Sequence, residues 1–347
     1  MTVSAAGSCK IGNLRLVSVV TPCYNEEGNV EEVYRQVKEV FSGLPGYSYE
    51  HIFIDNASTD KTVPILREIA AADKRVKVIV NARNFGHIRS PYYGMLQAKG
   101  DAVISIVADL QDPPALINEL IRKWEEGFKV VLGIKEKSEE SRLFFFLRGL
   151  YYNLLRRLSD VELIEHFTGF GLYDKQVVDI LRSVQDSYPY FRGLIADIGF
   201  ESAKIRYLQP TRKRGLTKNN FYTLFDMAML GLTSYTKVPL RLATIFGFGC
   251  SALSLLVAFA YLVYKLVFWR SFSVGVAPLV IGLFFFASVQ LFFLGIIGEY
   301  IGSVHTQVLG RPLVVEKERI NFSVDEAAGG SPPVSRTQCG GEQGGTQ

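Results

Sequence analysis

Asp109-Leu110-Gln111-Asp112-Pro113-Pro114 follows the β-branched run Val103-Ile104-Ser105-Ile106-Val107, so a predicted strand ends in carboxylates. Residues two apart on an extended segment point to one side, which puts the Asp109 carboxylate and the Gln111 amide oxygen where they can share a hard metal ion. Asp112 adds a second acid, and the two prolines stop the strand and open the next helix. Taken alone, the stretch is as well explained as a turn and helix cap. Three further polar clusters end apolar runs in the same way: Pro22-Cys23-Tyr24-Asn25-Glu26, Asp55-Asn56-Ala57-Ser58-Thr59-Asp60 and Arg83-Asn84-Phe85-Gly86. Each alone reads as a loop, but four on one edge of a sheet read as a site.

The elements that position them alternate. Strands are predicted at 16–21, 49–54, 76–80, 103–107 and 129–133, with helices over about 25–41, from the Ser58-Thr59-Asp60 cap to 72, and over 90–98 and 115–126. Short apolar strands separated by amphipathic helices imply an α/β domain with a mostly parallel sheet, and such sheets bind ligands beyond the carboxyl ends of their strands. No G-x-G-x-x-G or G-x-x-x-x-G-K-[ST] stands at a strand end, which excludes the usual dinucleotide and P-loop signatures, and no G-x-S-x-G elbow occurs.

The 347 residues are 48% hydrophobic, and the excess gathers between about 239 and 302. Leu242–Tyr264 and Ser271–Gly298 carry no charge and are each long enough to cross a bilayer, so they predict a helical hairpin. Lys237 and Arg241 precede it, Arg311, Lys317 and Arg319 follow it, and only Lys265 and Arg270 sit at its tip. That bias places the α/β domain and both termini in the cytoplasm, on a multi-pass membrane protein. The net charge of +4 is too mild to argue for nucleic acid, and Cys9, Cys23, Cys250 and Cys339 have no metal-type spacing. Apolar residues from Leu143 to Leu158 recur at helical spacing beside Arg148, Arg156 and Arg157, a pattern shared by a membrane-surface helix and a core-packed one.

In order and spacing, the four polar clusters resemble those of family 2 glycosyltransferases. The subgroup they are similar to moves a sugar from a nucleotide to a polyprenyl phosphate, as dolichyl-phosphate mannosyltransferases and bactoprenyl-phosphate glucosyltransferases do. Gly295-Ile296-Ile297-Gly298-Glu299-Tyr300-Ile301-Gly302 and Gly310-Arg311-Pro312-Leu313 carry the resemblance to that subgroup. The resemblance implies a GT-A-like nucleotide-sugar-binding domain, with Pro22, Tyr24, Glu26, Asp55 and Arg83 on the nucleotide. It implies Mg²⁺ or Mn²⁺ held by Asp109 and Gln111, catalysis by these two with Asp112, and closure over the donor diphosphate by Arg192, Arg214 and Lys218. Lys135, Arg142 and Arg148 are its candidates for the acceptor phosphate, and tetramers among relatives imply self-association.

The sequence departs from that pattern at several positions. Val107 stands where relatives carry a second acid, Asn56 where they have an Asp, and Gly169 and Gly171 where an Asp and an Arg are expected. The resemblance nevertheless implies transfer of a sugar from a nucleotide-sugar, UDP-linked rather than GDP-linked, by inverting displacement to a lipid such as undecaprenyl phosphate. The alternatives are a glycosyltransferase acting on a glycan hydroxyl and a nucleotide-sugar-binding membrane scaffold without turnover. The expected division is a disordered lead at 1–13, the glycosyltransferase domain at 14–220 and a juxtamembrane amphipathic helix at 221–238. Two transmembrane helices at 239–302, a cytoplasmic juxtamembrane segment at 303–322 and a disordered tail at 323–347 complete it.

Overall fold

A computed structural model describes residues 14–135, 167–210, 229–231, 233, 236, 238–267 and 276–323. The lead expected at 1–13, Arg142 and Arg148 with the helix expected around them, most of the juxtamembrane helix expected at 221–238, Arg214, Lys218 and almost all of the expected tail lie outside the described residues. The strands are β1 (Arg15–Cys23), β2 (Tyr47–Asp55), β3 (Val76–Asn81), β4 (Ala102–Ser105), β5 (Val130–Lys135), β6 (Phe167–Asp174), β7 (Ser202–Tyr207) and β8 (Glu316–Ile320). The helices are α1 (Val30–Ser42), α2 (Thr62–Ala72), α3 (Gly86–Leu96), α4 (Ile117–Glu125), α5 (Lys175–Ser183), α6 (Phe191–Ile198), α7 (Val238–Val267) and α8 (Val276–Val308).

The strands form one sheet in the order β7-β5-β6-β4-β1-β2-β3-β8. Four pairings are parallel: β1 with β2, β1 with β4, β2 with β3 and β5 with β7. The chain moves outward from β1 through β2 to β3, then returns to the other side of β1 with β4. That reversal makes β1 and β4 the switch point where such sheets open a crevice. Helix faces explain why both sides are dry. Val30, Val33, Val37 and Phe41 of α1 and Ile117, Leu120, Ile121 and Trp124 of α4 recur at three and four and are buried. Val17, Val19 and Val20 of β1 and Ile52, Phe53 and Ile54 of β2 are buried on consecutive as well as alternate positions because both sheet faces are covered.

Two strands depart from the parallel run. β6 is antiparallel to both β4 and β5, and β8 is antiparallel to β3. Sequence alone leaves β6 as an acceptor segment, β7 as unassigned and β8 as juxtamembrane chain. Their periodicity is too short to read, and they are strands because the sheet offers them partners. β4 is also shorter than predicted. It ends at Ser105, and Leu110 adopts φ 60°, so Asp109 and Gln111 lie on a turn rather than on one face of an extended strand.

α7 and α8 are long and apolar enough to cross a membrane, over Val238–Val257 and Gly282–Val308. Their apolar side chains stand exposed, Phe248 at 72% and Leu255 at 74%, which distinguishes them from the buried core helices of a soluble protein. Tyr300 of α8 donates its hydroxyl proton to the Thr236 carbonyl at 2.6 Å, which ties the second helix to the start of the first. Because β8 hydrogen-bonds to β3, the chain before α7 and the chain after α8 belong to the same sheet.

Candidate active site

Strand register gathers the polar clusters on one edge. Cys23 of β1 lies opposite Asp55 of β2, Asp55 opposite Val80 of β3, and Val20 opposite Ser105 of β4. The antiparallel strands contribute their opposite ends: Phe167 of β6 faces Ile134 of β5, and Glu316 of β8 faces Asn81 of β3. Lys135 and Tyr207 end β5 and β7 side by side on the same edge. Among the described residues, the non-glycine positions with positive φ are Asn25, Ala57, Leu110 and Asn321, and the first three lie in loops at this edge. Backbone strain of this kind persists where surrounding structure enforces it, commonly at ligand sites.

The loops after β1 and β2 clasp each other. The Asn25 N–H donates to Ser58 Oγ at 2.8 Å, and the Thr59 N–H returns a bond to Asn25 Oδ1 at 2.8 Å. The Glu26 N–H donates to Thr62 Oγ1 at 2.9 Å, and the Lys61 N–H to Glu27 Oε2 at 2.9 Å. Asp55 is fully buried and accepts from the Ser58 N–H at 2.9 Å and from its hydroxyl. Burial raises the Asp55 pKa, and the Ser58 bonds offset that in part. Pro22, Tyr24 and Glu26 are half-buried along the same clasp. Burial first, and then Asp55, Glu26 and Asp60, push the Cys23 thiol well above its ordinary value, so these acids crowd one strand end.

Asn56 accounts for one departure from the family pattern. Its Nδ2 donates to Asn84 Oδ1 at 2.9 Å and to the Gly86 carbonyl at 3.1 Å. Its Oδ1 accepts from the Phe85 N–H at 2.8 Å and from Asn81 Nδ2 at 3.2 Å. An amide both donates and accepts, which an ionised carboxylate cannot do, so Asn56 is the residue that shapes the Arg83–Gly86 loop.

At the β4 end the Gln111 N–H donates to Asp109 Oδ1 at 3.1 Å, and both side chains are half-buried. Asp112, only 2% exposed, accepts from the Tyr207 hydroxyl at 2.6 Å. Burial raises the Asp112 pKa, and Tyr207 and Lys135 pull it back in part, which also brings Lys135 to this group. Asp112 therefore anchors the turn to β7 and β5, while Asp109 stands nearer solvent. Val107, 38% exposed, projects an apolar side chain where a second acid was expected.

Gly169 and Gly171 are not simple losses of an acid and a base. Gly169 takes φ 105°, a conformation that strains other residues, and a Cβ on Gly171 would meet the Val131 carbonyl oxygen at 2.4 Å. β6 is built without side chains there. Asp174 lies at the opposite edge, facing Ala102, where it caps α5 and accepts from Trp124 Nε1 at 2.7 Å.

Arg83 is exposed after β3, its guanidinium 4.1 Å from the Phe85 ring centroid. Arg192 lies on α6 and faces the start of α3, where burial, then Arg192, lowers the His87 pKa. Sequence reasoning missed Tyr207 and Arg89. Nothing in the sequence links Tyr207 to Asp112 across 95 positions, and Arg89 is hidden in a predicted helix boundary.

A cation at Asp109 would find one carboxylate and one amide oxygen. Among the described residues no group of three or more His, Cys, Asp and Glu side chains could hold a metal. That donor set does not make a protein cage, but it fits Mg²⁺ or Mn²⁺ carried in on a diphosphate, since Mg²⁺ takes one or two carboxylates and completes its shell with phosphate oxygens and water.

The model of the family described as glycosyl transferase family 2 matches residues 18–181. An uncharacterized glycosyltransferase of Bacillus subtilis, YkcC, is 36% identical over 299 residues, 86% of this chain and 92% of its own length. The bactoprenol glucosyl transferase of Shigella phage SfII is 32% identical over 303 residues, 87% of this chain and 97% of its own. Among solved structures, the glucosyl-3-phosphoglycerate synthase of Mycobacterium tuberculosis is similar at 22% identity and a TM-score of 0.46, over 63% of this chain and 76% of that one.

Proposed function

The chain belongs to glycosyl transferase family 2, and on that footing we propose that it moves a sugar from a nucleotide-sugar, UDP-linked, to a polyprenyl phosphate at the inner face of the cytoplasmic membrane. One observation carries this reading: the chain leaving the second apolar helix returns as β8 and enters the sheet at its carboxyl edge, opposite Asn81. The edge that carries Asp55, Asp109 and Arg83 is thereby the edge tied to the membrane. Relatives named bactoprenol glucosyl transferase match over nearly their full length, which supports a polyprenyl acceptor.

The chemistry agrees with the residues present. A phosphomonoester has a second pKa of about 6, so the acceptor is largely ionised at neutral pH and needs no base to attack. β6, with glycine at positions 169 and 171, offers none. The lipid phosphate oxygen forms its bond to the anomeric carbon as the bond to the nucleotide diphosphate breaks, which inverts the configuration. Charge on the departing diphosphate then has to be neutralised. Asp109 and Gln111 would hold the divalent cation that supplies this, with Arg192 and, outside the described residues, Arg214 and Lys218 as basic partners. Pro22, Tyr24, Glu26, Asp55 and Arg83 line the nucleotide side. Lys135, beside Asp112, is the described candidate for the acceptor phosphate.

The test incubates purified protein with a panel of radiolabelled nucleotide sugars and undecaprenyl phosphate, with and without Mg²⁺ or Mn²⁺. Label extractable with lipid is the expected result. Label in a polymer, or binding without transfer, contradicts the proposal.

A further inference from the structure

Three guanidinium groups converge on the β3 side of the edge. Arg83 follows β3, Arg89 stands on α3, and Arg311 lies in the stretch between α8 and β8. With Phe85 and Pro312 they line a cavity of about 390 Å³. The cavity is assembled across the chain: Arg89 donates an N–H to the Pro312 carbonyl, 223 positions away. Arg83 and Arg89 both lie against the Phe85 ring, at 4.1 and 5.5 Å from its centroid. The Arg89 Nε is buried and has no hydrogen-bond partner among the described residues. Burial, and then the like charges of Arg83 and Arg311, lower the Arg89 pKa. Glu316, the acid that opens β8, is bound to Arg319 at 2.7 Å instead.

Like charges held together around an open cavity, with a buried N–H unused, cost free energy that a bound anion returns. The planar guanidinium fork matches phosphate oxygens in pairs, and the Phe85 ring holds two of these groups in place without neutralising them. We infer that Arg89 and Arg311, with Arg83, form a binding site for a phosphate-bearing ligand, completed only when the chain after the second apolar helix has docked. The phosphate has two sources within the proposed function, the diphosphate of the nucleotide-sugar and the phosphate head of the lipid; the inference rests on that function only for naming them.

Binding, rather than turnover, tests it. The full chain in detergent micelles is titrated with UDP and, separately, with a short-chain polyprenyl monophosphate, in wild type, Arg311→Gln and Arg311→Lys. Arg311 is exposed, and the bond that ties this stretch to α3 runs from Arg89 to the Pro312 carbonyl, so replacing the Arg311 side chain leaves the fold intact. A charge-assisted bond is worth enough for Arg311→Gln to raise Kd by about tenfold or more, with partial recovery in Arg311→Lys. Loss confined to UDP assigns the cavity to the donor, and loss confined to the lipid probe assigns it to the acceptor. Both results support the site. Unchanged Kd for both probes overturns it. If wild type fails to transfer sugar while Arg311→Gln still weakens binding, the proposed function falls and the site stands. If transfer is normal and binding unchanged, the reverse holds.

Discussion

On the β4 side of the sheet edge the charges are acidic and come from two residues of one turn, Asp109 and Asp112, while on the β3 side they are basic and are brought together by a hydrogen bond that spans 223 positions. The acidic turn is shaped locally, by the Asp109 bond to the Gln111 N–H, and fixed from behind by Tyr207. The basic cavity does not exist until Pro312 and Arg311 lie beside α3. In one half the candidate groups are carried by a turn of the chain. In the other they depend on a strand that arrives after two membrane-length helices, so those helices and the cavity share the same backbone.

Changes on either side should separate the two halves. The largest effect is expected from Asp109→Asn, which keeps the turn but removes the charge. Transfer should fall by about two orders of magnitude or more while the melting temperature holds, because losses of preorganised electrostatic groups act on rate. Activity assays beside thermal melts check this, and near-wild-type transfer would take Asp109 out of the site. Asn56→Asp comes next. It restores the family's usual acid but turns donors into a carboxylate facing Asn84 Oδ1 and the Gly86 carbonyl, so it should cost about 1–3 kcal/mol of stability rather than improve activity. A more active, equally stable variant would show that Asn56 is a lost ligand after all. Tyr207→Phe, which leaves the buried Asp112 short of one donor, should cost about 1–2 kcal/mol and reduce transfer far less than Asp109→Asn.

At neutral pH the smallest effect lies in β2, between the two halves. His51 is fully buried, shares a hydrogen bond with Thr21 Oγ1 at 2.9 Å, and burial depresses its pKa from 6.5 to about 3. As pH falls below 6.5 the unfolded chain takes up a proton that the folded one refuses. Its contribution is therefore fully present above pH 6.5 and is lost toward pH 3. His51→Gln should flatten the pH dependence of the melting temperature over that window. An unchanged slope would mean that His51 titrates normally in the fold.

How much could be read in advance follows the same division. The parallel α/β core, the gathering of the polar clusters on one sheet edge and the two apolar helices were legible, because apolar runs, caps and membrane-length segments repeat over many residues. The Asp109 turn was legible in composition but not in conformation, since the positive φ at Leu110 leaves no mark in residue type. Gly169 and Gly171 read as missing functional groups until their backbone conformation and the nearby Val131 carbonyl gave them a structural reason. β8 was invisible: Glu316–Ile320 reads as a charged juxtamembrane stretch, and only its pairing with β3 shows that it closes the sheet. Arg89 and Arg311 could not be joined without it.

The central claim is direct displacement onto a lipid phosphate at this edge. The measurement that tests it most directly is the anomeric configuration of the lipid-extracted product made by purified protein from a ¹³C-labelled, α-linked nucleotide-sugar, read from the one-bond carbon–hydrogen coupling. A β-linked sugar on the polyprenyl phosphate is the predicted result. An α-linked product, or label that never enters the lipid, would contradict it.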